Sequence, residues 1–204
     1  MGRLRVSATD IDMFRRFRDD DDEELPALIA KLRREATQTE PMLAGSALHK
    51  ALETAPAGDF AHLGADGYTF ELRFDAALDL PSIREIKATS IHLVDGCEVT
   101  LVGKADAVHG RRIEDHKLTS HYDAERFMGS MQWRIYLHLF DADEFRWNIF
   151  EGTETEPRQY VVKAFHQLTM HRYPGMAGDV VAELGEFVAF ARVYLPERFE
   201  RLAA

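Results

Sequence analysis

Leu101 to Ser120 reads Leu-Val-Gly-Lys-Ala-Asp-Ala-Val-His-Gly-Arg-Arg-Ile-Glu-Asp-His-Lys-Leu-Thr-Ser. A strand carries Asp106 near its end, a tight turn falls at His109-Gly110-Arg111, and a second strand runs from Arg112 to Leu118. Side chains alternate faces along a strand, so Asp115 and Lys117 point the same way. The hairpin brings Asp106 beside them. Two neighbouring carboxylates repel one another and favour a divalent cation between them. A lysine at the edge of such a site can orient or deprotonate a water, or steady a developing oxyanion. Carboxylates, a hard cation and a lysine suit phosphodiester cleavage. The pattern is short, however, and the chain carries a second acidic-x-Lys, Glu85-Ile86-Lys87, with Asp79 upstream. Taken alone, either one reads as surface decoration.

Working outward, Ile83 to Val94 and Glu98 to Val108 read as strands, and so do Tyr68 to Phe74, where apolar and polar residues alternate. Ser7-Ala-Thr-Asp10 reads as a helix start, with Ile11, Phe14 and Phe17 on the apolar face. Asp19 to Glu24 is an unbroken acidic run, read as a solvated loop. Helices are expected over Leu25 to Arg34 and Met42 to Thr54, with a break at Thr37 to Pro41 and a loop over Ala55 to Gly67. Tyr122 to Phe140 reads as one helix, Phe145 to Phe150 and Gln159 to Leu168 as strands, and Asp179 to Leu202 as a helix interrupted near Pro196. The order predicts a single mixed α/β domain over 1–204, with a helical part at about 7–54, a sheet and helix at about 67–140, and closing strands and helix at about 143–204.

Composition narrows the function. With 204 residues, 46% hydrophobic and 29% charged, the chain suits a soluble globular domain. Its one cysteine, Cys97, excludes an internal disulfide and any site built from several thiolates of one chain. A net charge of −10 argues against coating nucleic acid through a general basic surface. A local grip would come from a few cations, such as Lys104, Lys117, Arg126 and Arg134. Met1 to Met13 has no apolar stretch like a signal peptide, and no apolar run is long enough to span a bilayer. A cytoplasmic, membrane-free protein is the expectation.

Other motifs frame the central stretch in order. Gly45-Ser-Ala-Leu-His49 lies on an upstream helix, Gly103-Lys-Ala-Asp106 and Asp115-His-Lys117-Leu-Thr-Ser120 flank the turn, and Gln132-Trp-Arg-Ile-Tyr136 lies on the next helix. Gln132 and Tyr136 share a helical face. From about Ser7 to Tyr136, this ordered set resembles the PD-(D/E)XK nuclease superfamily, in its RecB-type and phage-exonuclease branch. The resemblance implies a restriction-endonuclease-like core, a mixed central β-sheet flanked by helices. It implies that His49, Asp106, Asp115 and the backbone carbonyl of His116 hold Mg²⁺ or Mn²⁺, that Asp106, Asp115 and Lys117 are catalytic, and that Gln132, Tyr136, Thr119 and Ser120 contact substrate or brace the site.

Two departures stand out. Glu114 and His116 flank Asp115 where relatives carry apolar residues, so that strand is expected to be more exposed, or Glu114 to approach a second metal. One cysteine cannot build the four-cysteine cluster of some relatives, and Gly103-Lys104 lacks the glycine that a Walker loop has five residues earlier. The expected activity is that of an exonuclease on linear double-stranded DNA in phage-type recombination or repair, in a bacterial or phage-infected cell. A homo-oligomer and a single-strand annealing or recombination partner would fit. The alternatives are a structure-specific endonuclease on the same fold and a non-catalytic nucleic-acid-binding or assembly module.

Overall fold

The computed structural model describes residues 2–19, 24–56, 60–75 and 78–201, so most of the acidic run, residues 20–23, lies outside the described residues. Among the described residues, the strands form one mixed sheet. In chain order they are β1 (Gly2–Ser7), β2 (His62–Ala65), β3 (Tyr68–Leu72), β4 (Ile83–Val94), β5 (Cys97–His109), β6 (Arg112–Thr119), β7 (Glu144–Glu156), β8 (Gln159–His171) and β9 (Phe199–Arg201). The helices are α1 (Ala8–Asp19), α2 (Leu25–Leu32), α3 (Glu40–Thr54), α4 (Ala124–Gly129), α5 (Gln132–Leu139) and α6 (Met176–Tyr194). No helix among the described residues is long and apolar enough to cross a membrane.

The sheet order is β2-β3-β8-β7-β6-β5-β1-β9, with β4 lying along the outer edge of β5. One face buries Leu4, Val99, Leu101, Ile113, Phe145, Trp147 and Ile149 beneath side chains of α1, α5 and α6. The other face buries Phe70, Phe150 and Val162 against Ala44, Leu48 and Leu52 of α3. Burying each large side chain contributes about 1.5–3 kcal/mol.

Local chemistry sets the element ends. Ser7 and Asp10 cap one another: the Asp10 N–H donates to Ser7 Oγ at 3.1 Å and the Ser7 N–H to Asp10 Oδ2 at 3.0 Å. The β4–β5 hairpin turns at Asp95-Gly96, both with positive φ (47° and 70°), the conformation that two-residue turns favour.

Several expectations need correcting. The segment Tyr122 to Phe140 is two helices, because Ser130 leaves helical geometry (ψ 140°) and its Oγ donates to Asp12 Oδ1 at 2.6 Å. The final helix stops at Tyr194. Pro196 opens a short 3-10 turn, and Phe199–Arg201 leaves to pair with β1. Part of the expected loop before Gly67 is the strand β2. The N-terminal segment is β1, which lies parallel to the first half of β5.

This last pairing shapes the molecule. β4 occupies one edge of β5 along almost its whole length. On the other edge, β1 pairs up to Ser7↔Val102, and β6 pairs from Ala107↔Glu114 to the turn. Between them, Gly103 to Asp106 have no ladder partner on that edge. β6 continues beside β7 as far as Thr119, so β5 and β6 diverge like the arms of a fork.

Candidate active site

Backbone groups stranded in a fork need partners. The Asp106 side chain supplies one, accepting the His116 N–H at 2.7 Å through Oδ2. Tyr136 supplies another, its hydroxyl donating to the Lys104 carbonyl at 2.9 Å. α5 can come this close because position 103 is glycine. A Cβ there would lie 2.6 Å from Tyr136 Cε1 and 2.7 Å from Leu139 Cδ1.

The fork also lets the two sheet faces communicate. From α3, His49 reaches Asp106, with Nδ1 3.2 Å from Oδ2. From the other side, Asp115 is ion-paired with Lys117 and accepts from Gln132 Nε2 at 2.7 Å through Oδ1. Lys117 Nζ lies 5.3 Å from the centre of the Trp147 ring. His49, Asp106, Asp115, Lys117, Gln132 and Tyr136 thus line one cleft of about 340 Å³, together with Ser7 and Thr9 at the start of α1.

Burial and mutual charge set the protonation states. Asp115 is 2% exposed. Burial pushes its carboxyl up to about 6 although Lys117 opposes the rise, and the negative charge of Asp106 adds to it. Asp106 moves down: burial opposes ionisation, but the hydrogen bond and charge of His49 outweigh it. For His49 the same contact overcomes burial and raises the imidazole. Lys117 is raised, because Asp115, followed by Asp106, outweighs burial. Burial holds His116 neutral, down at about 4, and drives Tyr136 upward so that it keeps its proton.

Among the described residues, no three His, Cys, Asp or Glu side chains stand close enough together to hold a metal ion as they are placed. The donor set nevertheless fits a hard divalent cation. Two carboxylates and an imidazole share one cleft, and oxygen donors with one imidazole nitrogen are the kind of set such a cation takes. His49, Asp106 and Asp115 would hold such a cation. The contacts of Asp106 with His49 and of Asp115 with Lys117 would give way to it.

The remaining candidates lie apart. Ser120 is exposed and lines none of this cleft, and Thr119 is occupied in a turn, donating to the His121 carbonyl at 2.7 Å. Thr119 and Arg126 instead border an adjoining hollow that also reaches Lys117. Arg134 is held away from the cleft by Ser130 and Tyr173. The His116 ring packs near Phe150 on the α3 side. The strand is not exposed as expected, since Glu114 and His116 are 2% and 3% accessible. A polar network buries it: Glu114 accepts from Arg112 at 2.7 Å and from Asn148 at 2.8 Å, and is committed there. Asp79 lies near His109 rather than in the cleft. Thr9 and Arg5, which line the cleft, were not among the expected site residues. Ser7-Ala-Thr-Asp10 marked a helix start, but nothing local signalled that this start faces the fork.

No known family's sequence profile matches the chain, and no curated protein sequence matches it. Solved structures are similar in fold. A protein designated SSO0001 superposes with a TM-score of 0.57 at 16% identity, covering 92% of this chain and 76% of its own. An alkaline exonuclease (LHK-Exo) from Laribacter hongkongensis gives 0.46 at 11% identity over 93% of this chain and 88% of that one. The same exonuclease in complex with dAMP gives 0.42 at 11% identity, over 92% and 88%. The first likeness establishes a shared fold, and the other two superpose too loosely to bear on activity.

Proposed function

We propose that this chain is a metal-dependent deoxyribonuclease, acting as an exonuclease on the ends of linear double-stranded DNA. The observation that carries the reading is the meeting of His49, Asp106, Asp115 and Lys117 in one cleft at the fork between β5 and β6. The order of motifs along the chain, with its resemblance to RecB-type and phage exonucleases, supports the choice of substrate and a role in recombination or repair. A bound Mg²⁺ or Mn²⁺ would supply positive charge to the phosphate and acidify a water.

The chain's own residues do the rest. Lys117 keeps its proton, so its ammonium offers charge to a phosphate oxygen rather than acting as a resting base. Gln132 fixes the orientation of Asp115 through its amide. Tyr136, held at the Lys104 carbonyl, braces the open edge of β5 and accepts a longer contact from Gln132 at 3.4 Å. These two residues therefore act as braces behind the carboxylates.

The test is incubation of purified protein and Mg²⁺ or Mn²⁺ with end-labelled linear DNA and with covalently closed circles. Loss of the linear form alone is expected. Nicked circles would replace the exonuclease with an endonuclease. Uncut DNA of both kinds would refute the nuclease reading.

A further inference from the structure

Glu85-Ile86-Lys87, the second acidic-x-Lys, also reaches the cleft. Glu85 has φ of 59°, left-handed backbone that a residue with a side chain adopts at a cost. The β4–β5 ladder pairs Arg84 with Ala107 and Ile86 with Ala105, and skips Glu85 opposite Asp106. Alternation slips at this point on both strands. Ile86 and Lys87 are both exposed, and Ala105 and Val108 both pack towards the same core.

The surroundings enforce the distortion. Arg84 Nη1 donates to the carbonyls of Leu52, Glu53 and Ala55 at the end of α3, at 2.9, 2.9 and 3.0 Å, and its Nε donates to Pro81 at 2.8 Å. With Arg84 pinned on one side and Ile86 in register on the other, the Glu85 carboxylate is turned over the cleft, where it borders the same hollow as His49, Asp106 and Lys117. There it forms an ion pair with Lys104.

Lys104 in turn lies directly across the strands from Lys87. Like charges so placed destabilise a sheet. Arg5, Lys87, Lys104 and Lys117 line the cleft with Asp106 and Asp115, four cations to two carboxylates, in a chain of net charge −10, and Glu85 adds a third carboxylate from the adjoining hollow.

We propose that Glu85 is a positioning residue, a displaceable latch that holds Lys104 at the rim until a nucleic-acid phosphate takes its place. This rests on the nuclease reading, which supplies the phosphate. The latch keeps the rim's grip below what its cations allow, so that a strand can enter and leave.

Binding of a fluorescein-labelled single-stranded DNA oligonucleotide to the full chain, followed by anisotropy in EDTA, tests the latch without cleavage. Glu85→Gln is expected to bind severalfold more tightly at low salt. The slope of log K against log salt should steepen by about 0.7, the value for one added phosphate contact to a single strand. In a Lys104→Met background the same substitution should change nothing. Glu85→Gly should reproduce the gain in affinity and also raise the Tm, because glycine takes this backbone conformation freely. Unchanged or weaker binding by both Glu85 variants, or a gain that persists without Lys104, overturns the latch alone. A wild-type chain that binds no DNA in EDTA yet cuts linear DNA with Mg²⁺ overturns the latch alone, and one that neither binds nor cuts overturns the latch and the nuclease reading together.

Discussion

β4 and β6 carry the same three-residue pattern, an acid and a lysine separated by one residue, and flank β5 at Asp106. Their surroundings separate them. β6 lies inside the sheet, between β5 and β7, with α5 on one face and α3 on the other. Asp115 is enclosed, with Lys117 and Gln132 as partners and Trp147 beneath the lysine. β4 is an outer strand, and its Lys87 is exposed. A carboxylate becomes chemically unusual when water is removed and another carboxylate is brought near, and Asp115, 2% exposed, meets both conditions more fully than Glu85, which is answered by the exposed Lys104.

The largest effect expected from this contrast is on turnover. Lys117→Ala and Asp115→Asn should each lower cleavage of linear DNA by about 10²–10⁴-fold, the range for a positioned proton-transfer or charge-donating group. Lys87→Ala, the same change one strand away, should leave turnover within the same order of magnitude. Initial rates at saturating metal, with folding checked by circular dichroism, compare them. Equal losses from Lys87→Ala and Lys117→Ala would erase the distinction between the strands.

Gly103 offers a second way to break the contrast, because it holds β5 against α5. Gly103→Ala would press a Cβ into the buried ring of Tyr136, whose hydroxyl is anchored at Lys104. Overpacking of this kind costs about 1–3 kcal/mol. It should also loosen Gln132 and hence Asp115. Urea denaturation should show the loss of stability, with a parallel loss of activity. Gly96→Ala, in the exposed β4–β5 turn where nothing lies within 4 Å of the added Cβ, should spare activity.

Which parts of this arrangement could be read from the chain follows the range of the interactions. The strands around Asp106 and Asp115 were legible because alternation and turn chemistry are local, and Ile83 to Val94 matches β4 in both ends. The fork was not legible. It requires β1 to end beside Val102, a contact across most of the N-terminal half, and the short alternation Arg3-Leu4-Arg5-Val6 does not name its neighbour. The break at Ser130 is set by Asp12, again far away in sequence. The buried setting of Glu114 depends on Asn148, which no short-range pattern links to it. Motif order therefore pointed to the candidate residues, whereas their depth and pairing came from long-range packing.

A smaller effect concerns pH. A carboxylate with a raised folded pKa contributes stability that is present below its unfolded pKa and is lost as pH rises through about 6, which is the case for Asp115. His49 has the same sign, since its raised imidazole contributes at low pH and loses that contribution as pH rises through its folded value. Asp106, lowered, contributes above its unfolded pKa and stays constant over this range. A cation held by His49 and Asp115 must displace their protons. The rise in Tm on adding Mg²⁺ or Mn²⁺ should therefore be larger at about pH 8 than at about pH 5. Lys87→Ala should leave that difference intact, and Asp115→Asn should abolish it. An equal rise at both pH values would remove Asp115 from the metal site.

The smallest effects belong to the outer strand itself. Ile91 and Leu93 of β4 are 69% and 68% exposed on the face that carries Lys87, and among the described residues no helix covers them. Replacing either by Thr keeps strand propensity and removes little buried area, so stability should change by no more than about 0.5 kcal/mol. Ile149 pairs with Lys117 on the neighbouring inner strand and is fully buried, so Ile149→Thr should cost several times more, since it leaves both a void and an unpaired hydroxyl. Chemical denaturation of the three variants compares the two strands free of any assumption about activity. If the Ile91 or Leu93 substitution proved as costly as that at Ile149, β4 would have to be covered in solution, and the exposure that separates it from β6 would be lost.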